Sequence, residues 1–397
     1  MLLPDPAELA QRQLARDRAR PCAKFPGLLR HKMQRMADSA FAFLRGSAPL
    51  FYEILKLSPE LAKGPDGEGW ITGDLHPENF GAFRTEGKGS SSFPVVFDLN
   101  DFDDAVVGPW RLDVLRLLTS LLLWARGFPG AGSLSLQGCE SMLDGYLGAL
   151  HGGKEIRKPL AVQKLLSKVK GRTPRQFLDD RTVQVRRARR FVRGERYQEL
   201  SKRLQEHAGQ AFSHYVEMLP EKWRGIPRAF EVEDAAFRIA GTGSLGLLRI
   251  GIVARGKGPP HGQWLFDMKE QQSSPSPAIL LRDPGVDGAR RVETAFRQCL
   301  IHPPRMIGRT QLGKTSMFVR RLAPQEDKLN VTSLKREELV DVARYLGSLA
   351  GAGHRRGATR APVRWSKQSQ QKLVDQATVL AAIHEATYLA YCRLMSR

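Results

Sequence analysis

Between Gly73 and Asp113 the chain concentrates groups that can do chemistry. Asp74, His76 and Asn79 lie in GDLHPENFG, and Asp98, Asn100, Asp101, Asp103 and Asp104 in VVFDLNDFDDAVVGPWRLD. Carboxylates this close repel one another unless a cation or a proton intervenes. One or two Asp or Asn residues could simply cap a turn through backbone amides, but that does not account for so many beside Gly73, His76 and Gly81. Phosphoryl transfer asks for such a set: one residue to orient or deprotonate the acceptor, and carboxylate and amide oxygens to hold magnesium on the phosphates. Asp74 and Asn79 suit the first segment of that scheme, and Asp101 or Asp98, at a strand end, the second. The rival is a hydrolase in which His76, Asp74, Asp98 and Asp101 bind two metal ions directly.

A second constellation lies far downstream. Gly241, Thr242, Gly243, Ser244 and Gly246 belong to a G-x-G-x-x-G pattern, weak by itself because turns collect glycines. A dinucleotide site would need a helix immediately afterwards. Leu247 to Val253 instead alternates as a strand does, so the loop joins two strands, as in the glycine flap that protein kinases lay over a triphosphate. Lys269 sits one strand later, where such folds keep the lysine that meets the α- and β-phosphates. Glu293, on the next helix, is the candidate to hold that lysine, with Glu270 a nearer competitor. A metal-cluster hydrolase leaves the glycines and Lys269 without a role.

These groups need elements to position them. Val95, Val96, Phe97 and Leu99 predict a buried strand ending at the acids. Leu112 to Trp124, interrupted by Asp113 and Arg116, predicts a buried helix and is too short and too charged to span a bilayer. A helical pattern continues from Lys154 to Leu219, with VQVRRARRFVRGER as an exposed basic helix face. Residues 1–36 predict a helical arm with a solvated face of Arg12, Arg16, Arg18, Arg20 and Lys24. Arg45, amid the apolar residues of FAFLRG, requires an anionic partner. From about Phe230 the period becomes that of strands, and SMFVRRLA is a further one. Ser333 is a plausible N-cap for a helix reaching His354, and a last helix covers roughly Ser366 to Met395.

Composition narrows the class. A chain of 397 residues with 42% hydrophobic content folds as two domains or one two-lobed unit, and its net charge of +21 favours polyanionic partners. A nucleotide and an acidic or phosphorylated acceptor fit that charge, and nucleic acid is the less favoured partner. The four scattered cysteines and the lack of a secretion signal predict a reduced, cytoplasmic protein with no membrane span.

GDLHPENF resembles the HGDLHPGN catalytic loop of the aminoglycoside phosphotransferases, the small-molecule branch of the protein-kinase-like superfamily. DFDDAVVGPWRLDVLRL resembles the IDFDDAGYGPPLYDLA-type segment that follows it. The resemblance implies that Asp74 is the catalytic base or the residue that orients the acceptor, that Asn79 and Asp101 are magnesium ligands, that Asp103 assists the metal and that Asp113 supports the loop, with Asp98 the alternative to Asp101. FAFLRG, GDLHPENFG, FDLNDFDDAVVGPW, GTGSLG and MKE, in that order, resemble the bacterial family known as domain of unknown function 2252 over almost the whole chain. Ordinary kinases place the glycine loop first and the catalytic loop later, and here the order is reversed. The expectation is therefore an α+β, two-lobed, circularly permuted kinase-like fold with a large helical lobe and a small antiparallel β-rich lobe. Residues 1–229 would form the helical lobe, 230–325 the nucleotide lobe, and 326–397 helices returning to the first, with Met317 to Leu322 as the hinge. The expected activity is transfer of phosphate from ATP, with Mg2+, to a hydroxyl-bearing acceptor. Adenylyl transfer, a two-metal phosphohydrolase and an inactive pseudokinase that binds nucleic acid or another partner are the alternatives.

Overall fold

Apolar stripes build two large cores and a smaller third cluster among the described residues. A computed structural model describes residues 3–19, 26–85, 94–128, 130, 132–241, 247–257, 262–331 and 334–396. The protein is mixed helix and sheet, an α+β arrangement. No helix among the described residues is long and apolar enough to cross a membrane.

The first core opens with α1 (Pro6–Ala19), α2 (Pro26–Ala37), α3 (Ala40–Gly46) and α4 (Ala48–Leu57). Strands β1 (Glu68–Ile71), β2 (Phe80–Arg84), β3 (Val95–Leu99) and β4 (Val106–Pro109) follow, then α5 (Arg111–Ala125), α6 (Gly132–Leu150) and α7 (Leu160–Lys170). Every residue of α5 from Leu112 to Ala125 is buried, which is why its sequence is apolar on all sides. The N-terminal basic residues are tied down rather than simply solvated. Arg12 pairs with Glu8 and Glu53, Arg16 with Glu53, and Asp17 forms a fully buried 2.5 Å pair with Lys32. Arg20 and Lys24 lie outside the described residues.

Next come α8 (Pro174–Asp179), β5 (Thr182–Val185), β6 (Ala188–Phe191), β7 (Tyr197–Gln198), α9 (Lys202–Glu217) and α10 (Glu221–Arg224). The expected basic helix over VQVRRARRFVRGER is thus corrected to a β5–β6 hairpin and its exit. β-Branched Thr182, Val183 and Val185 favour extended chain, and Arg186 turns it with φ 56°. Tertiary partners then hold the cations. Arg189 donates to Thr182 Oγ1 at 2.9 Å and Asp179 Oδ1 at 2.6 Å, and Arg193 pairs with Asp234 and Glu199.

The second core lies under a six-stranded antiparallel sheet in the order β11-β12-β10-β9-β8-β7. Its later strands are β8 (Val232–Arg238), β9 (Arg249–Ala254), β10 (Trp264–Glu270), β11 (Gly308–Leu312) and β12 (Thr315–Leu322), with α11 (Gly288–Cys299) between β10 and β11. Trp264, Phe266 and Met268 of β10 pack with Ala208, Phe212 and Tyr215 of α9. Strand alternation therefore sends Asp267 and Lys269 to the opposite face. Because α9 and Tyr197 serve this sheet, the elements grouped around it begin near Leu178, well before residue 230. Conversely, Ala289, Val292, Ala295 and Phe296 of α11 join the first core.

The chain then returns. β13 (Asp327–Lys328) pairs with β2 in a β13-β2-β3 sheet, α12 (Leu339–Arg356) packs along α6, and α13 (Lys367–Met395) packs on α5 and α1. Ser333 lies outside the described residues. The end of α12 meets β1: Gly357 accepts from Trp70 N at 2.9 Å, and Thr359 Oγ1 donates to Glu68, 291 residues away, at 3.0 Å.

Candidate functional site

The Asp74 loop is held from behind by α5. Gly73 adopts φ 77°, and a Cβ there would run into the Asp104 carbonyl, so only glycine lets the two acidic segments approach. Asp113, in the first turn of α5, accepts Thr72 N at 2.7 Å, Thr72 Oγ1 at 2.9 Å and Gly73 N at 2.9 Å. His354 Nε2 meets the same carboxylate at 3.1 Å, while its Nδ1 meets Tyr146 Oη at 2.9 Å and its ring stacks on Trp110. Tyr52 donates to Gly73 O at 2.6 Å. Inside the loop, Asn79 Nδ2 donates to Asp74 O at 2.5 Å.

Protein cations resolve the repulsion among the acids. Arg116, fully buried on α5, pairs with Asp74, its Nε donating to Oδ1 at 2.6 Å. Burial nevertheless pushes the Asp74 carboxyl up to about 7 against the pull of Arg116, with Asp104 and Asp101 adding to the rise. Asp101 behaves oppositely. Burial disfavours its charge, but Lys269, Lys328, Arg320 and Arg249 outweigh burial and hold its carboxyl below the usual range. Asp103 pairs with Lys269 and accepts Gln271 Nε2 at 2.9 Å. Burial brings the Lys269 ammonium down to about 8, with Asp101 pulling the other way. Asp104 accepts Ser276 N at 2.6 Å. His76 is buried, and that burial, then Arg45 and Arg116, keep it neutral.

Asp74, His76, Asn79, Asp101, Asp103 and Gly241 line one cavity of about 450 Å³. Lys269 is not in its lining and reaches it only through Asp103, and two further expected members stand elsewhere. Asp98 does not line this cavity: it accepts Leu99 N at 2.8 Å and faces Arg356 at 3.9 Å, and burial pushes it up to about 6. Glu293 does not hold Lys269. It pairs with Arg297 at 3.0 Å and Arg309 at 2.5 Å, so Asp103 takes the place expected of it. Glu270 accepts Leu248 N at 2.7 Å. Thr242, Gly243, Ser244 and Gly246 lie outside the described residues, and the Gly241 carbonyl accepts from Arg35 at 3.4 Å.

Arg45 finds the anion it requires in Glu78, at 2.5 Å on the cavity wall. Sequence reading missed Arg116, Gln271, Lys328 and His354. An arginine inside an otherwise apolar helix was the available signal for Arg116, since a buried guanidinium demands an acid. Lys328 carried none, because its place depends on β13 joining β2. Among the described residues no group of three or more His, Cys, Asp and Glu side chains is arranged to hold a metal ion. With Nδ2 already donating, Asn79 can offer a cation only its Oδ1, and Asp101 stays ionised. Both are the hard oxygen donors that magnesium takes.

The family described as "uncharacterized protein conserved in bacteria", DUF2252, matches residues 24–394. The chain belongs to the DUF2252 family. No curated protein and no solved structure matches it. The chemistry of this DUF2252 site therefore rests on its own geometry: a carboxyl poised near neutrality, an ionised second carboxylate, and a largely buried lysine bridging two chain segments.

Proposed function

We propose that the protein transfers the terminal phosphoryl group of ATP, with magnesium, to a hydroxyl-bearing acceptor. The observation that carries this reading is the Lys269–Asp103 pair, which joins the lysine strand β10 to the acidic turn beside Asp74 across 166 residues of sequence. The chain order hairpin β8–β9, lysine strand β10, helix α11 and strand β12 agrees with a kinase-like nucleotide lobe. The contact of α12 with β1 also supports a permuted order, since in that scheme the helix would lead into the catalytic loop. The Asp103 partner for Lys269, in place of a glutamate on α11, is the departure.

On this reading Asp74 accepts the proton of the acceptor hydroxyl as that oxygen bonds the γ-phosphorus and the bond to the ADP oxygen breaks. A carboxyl near 7 is matched to such a task at neutral pH. Arg116 fixes the orientation of Asp74, and Lys269 offers positive charge to the phosphates. Magnesium on Asn79 and Asp101 would neutralise phosphate charge. Incubation with γ-labelled and α-labelled ATP tests the proposal. Label transferred only from γ supports it, and label only from α replaces it with adenylyl transfer. No transfer and no ATP-induced thermal shift would leave a pseudoenzyme.

A further inference from the structure

A second charged pocket shares no lining residue with the Asp74 cavity. Arg84 at the end of β2, Arg305 ahead of β11 and Arg321 on β12 line it together, with Gln263, Gln325 and Glu326. Its volume of about 50 Å³ is several times the roughly 10–15 Å³ that one water requires. It adjoins a cleft of about 310 Å³ that shares Arg84 and Gln325 and adds Lys170.

Arg321 is the decisive residue. Its Nε is buried without a hydrogen-bond partner, and no carboxylate pairs with it among the described residues. Its guanidinium lies over Trp264 at 4.5 Å, as Arg305 lies over Trp223 at 4.7 Å. Stacking holds a guanidinium by its face and leaves the N–H edge to donate. The one carboxylate in the lining, Glu326, is already engaged by Ala323 N at 3.2 Å and Arg320 at 3.4 Å. Burial, then the fields of Arg305 and Arg84, disfavour the Arg321 cation and pull it down to about 9. A buried guanidinium that lacks a counter-charge, in a recess lined by two further arginines, is stabilised by an anion that accepts from its free edge.

We propose that Arg84, Arg305 and Arg321 form a binding site for a phosphate-class oxyanion, separate from the Asp74 cavity. The ligand is either free phosphate or the phosphoryl end of a monoester whose body extends into the adjoining cleft.

The test titrates inorganic phosphate and glycerol phosphate into the full chain at constant ionic strength, read by calorimetry and thermal shift. Wild type is expected to bind saturably and to melt higher with ligand. Arg321→Met should weaken binding about tenfold or more, the effect of removing a charge-assisted fork. Lys269→Met, which removes the partner of Asp103 beside the other cavity, should leave binding within about twofold. In phosphate-free chloride buffer Arg321→Met should melt no lower than wild type, because the cation it removes lacks an ion pair. Should that variant fold poorly, Arg321→Lys, which keeps charge but loses the fork, is expected to bind more weakly than wild type. Tighter binding of glycerol phosphate identifies a monoester, and tighter binding of phosphate the free ion. Absence of saturable binding in wild type, or equal binding in Arg321→Met, overturns the proposal.

Discussion

Asp74 and Asp98 are both half-buried carboxyls with raised pKa values, yet their partners assign them different work. Asp74 faces the cavity and Arg116, so its ionisation governs any proton transfer there. Turnover should rise with pH through about 7, and Asp74→Asn should lower it by about 10²–10⁴-fold. Because Arg116 opposes the rise, Arg116→Met should move the acid limb of the pH–rate profile upward by about a unit. An unmoved limb would detach Asp74 from that titration. Asp98 is held near 6, above its ordinary 3.8, so the native state keeps a proton that the unfolded chain releases between about pH 4 and 6. Stability from this group is present below that window and lost as pH rises through it. Asp98→Asn should therefore melt higher than the parent at pH 8, by about 1–3 kcal/mol, with no difference near pH 4 and no change in turnover. Denaturant titrations at the two pH values would check it.

At the scale of elements, the loop depends on α5 and α12, and the lysine strand on the acidic turn. Asp113→Ala leaves Thr72 N and Gly73 N without an acceptor, and should cost about 2–5 kcal/mol in urea unfolding together with loss of transfer. His354→Ala removes one of several bonds to that carboxylate and should cost less. The Lys269 support gives a sharper contrast. Asp103→Asn and Lys269→Met should weaken nucleotide binding alike, while Glu293→Gln, which touches Arg297 and Arg309, should leave affinity within about threefold. Equal losses in all three would restore Glu293 to the lysine. Elements of strong period were legible in sequence: β3, α5 and α12 stand close to where their apolar patterns put them. The β5–β6 hairpin was not, because its arginines read as a helix face until Asp179 and Asp234 supply distant partners.

Across the whole molecule the two cores share a strand, since β12 gives Phe318 to the first and Met317 and Val319 to the second. Phe296 of α11 lies 4.6 Å from Phe102 beside the acids and stacks on Phe318 of β12 at 5.4 Å. Calorimetry should accordingly record one cooperative transition for the full chain, and two separable ones would contradict this. Phe296→Ala should destabilise by about 3–5 kcal/mol through the cavity it leaves and broaden or split that transition. The net charge of +21 is likewise redistributed by folding. Arg238 and Arg249 converge on buried Asp267, holding it far below the usual range despite burial, so part of the cationic excess is internal.

What the sequence by itself determined is the chemistry available: which residues can ionise, where the strongly periodic strands and helices run, and which motifs stand in which order. Asp74, Asn79 and Asp101 were readable because their types and spacing are local properties of the chain. Tertiary structure alone decided which acids share a cavity and which cation answers each. Asp101 over Asp98 follows from the pleat of β3 and the turn after it. Asp103 over Glu293 follows from the face that α11 turns toward Arg309. Arg116, Lys328 and His354 reach the site from distant elements, and no spacing in sequence encodes an approach that packing makes.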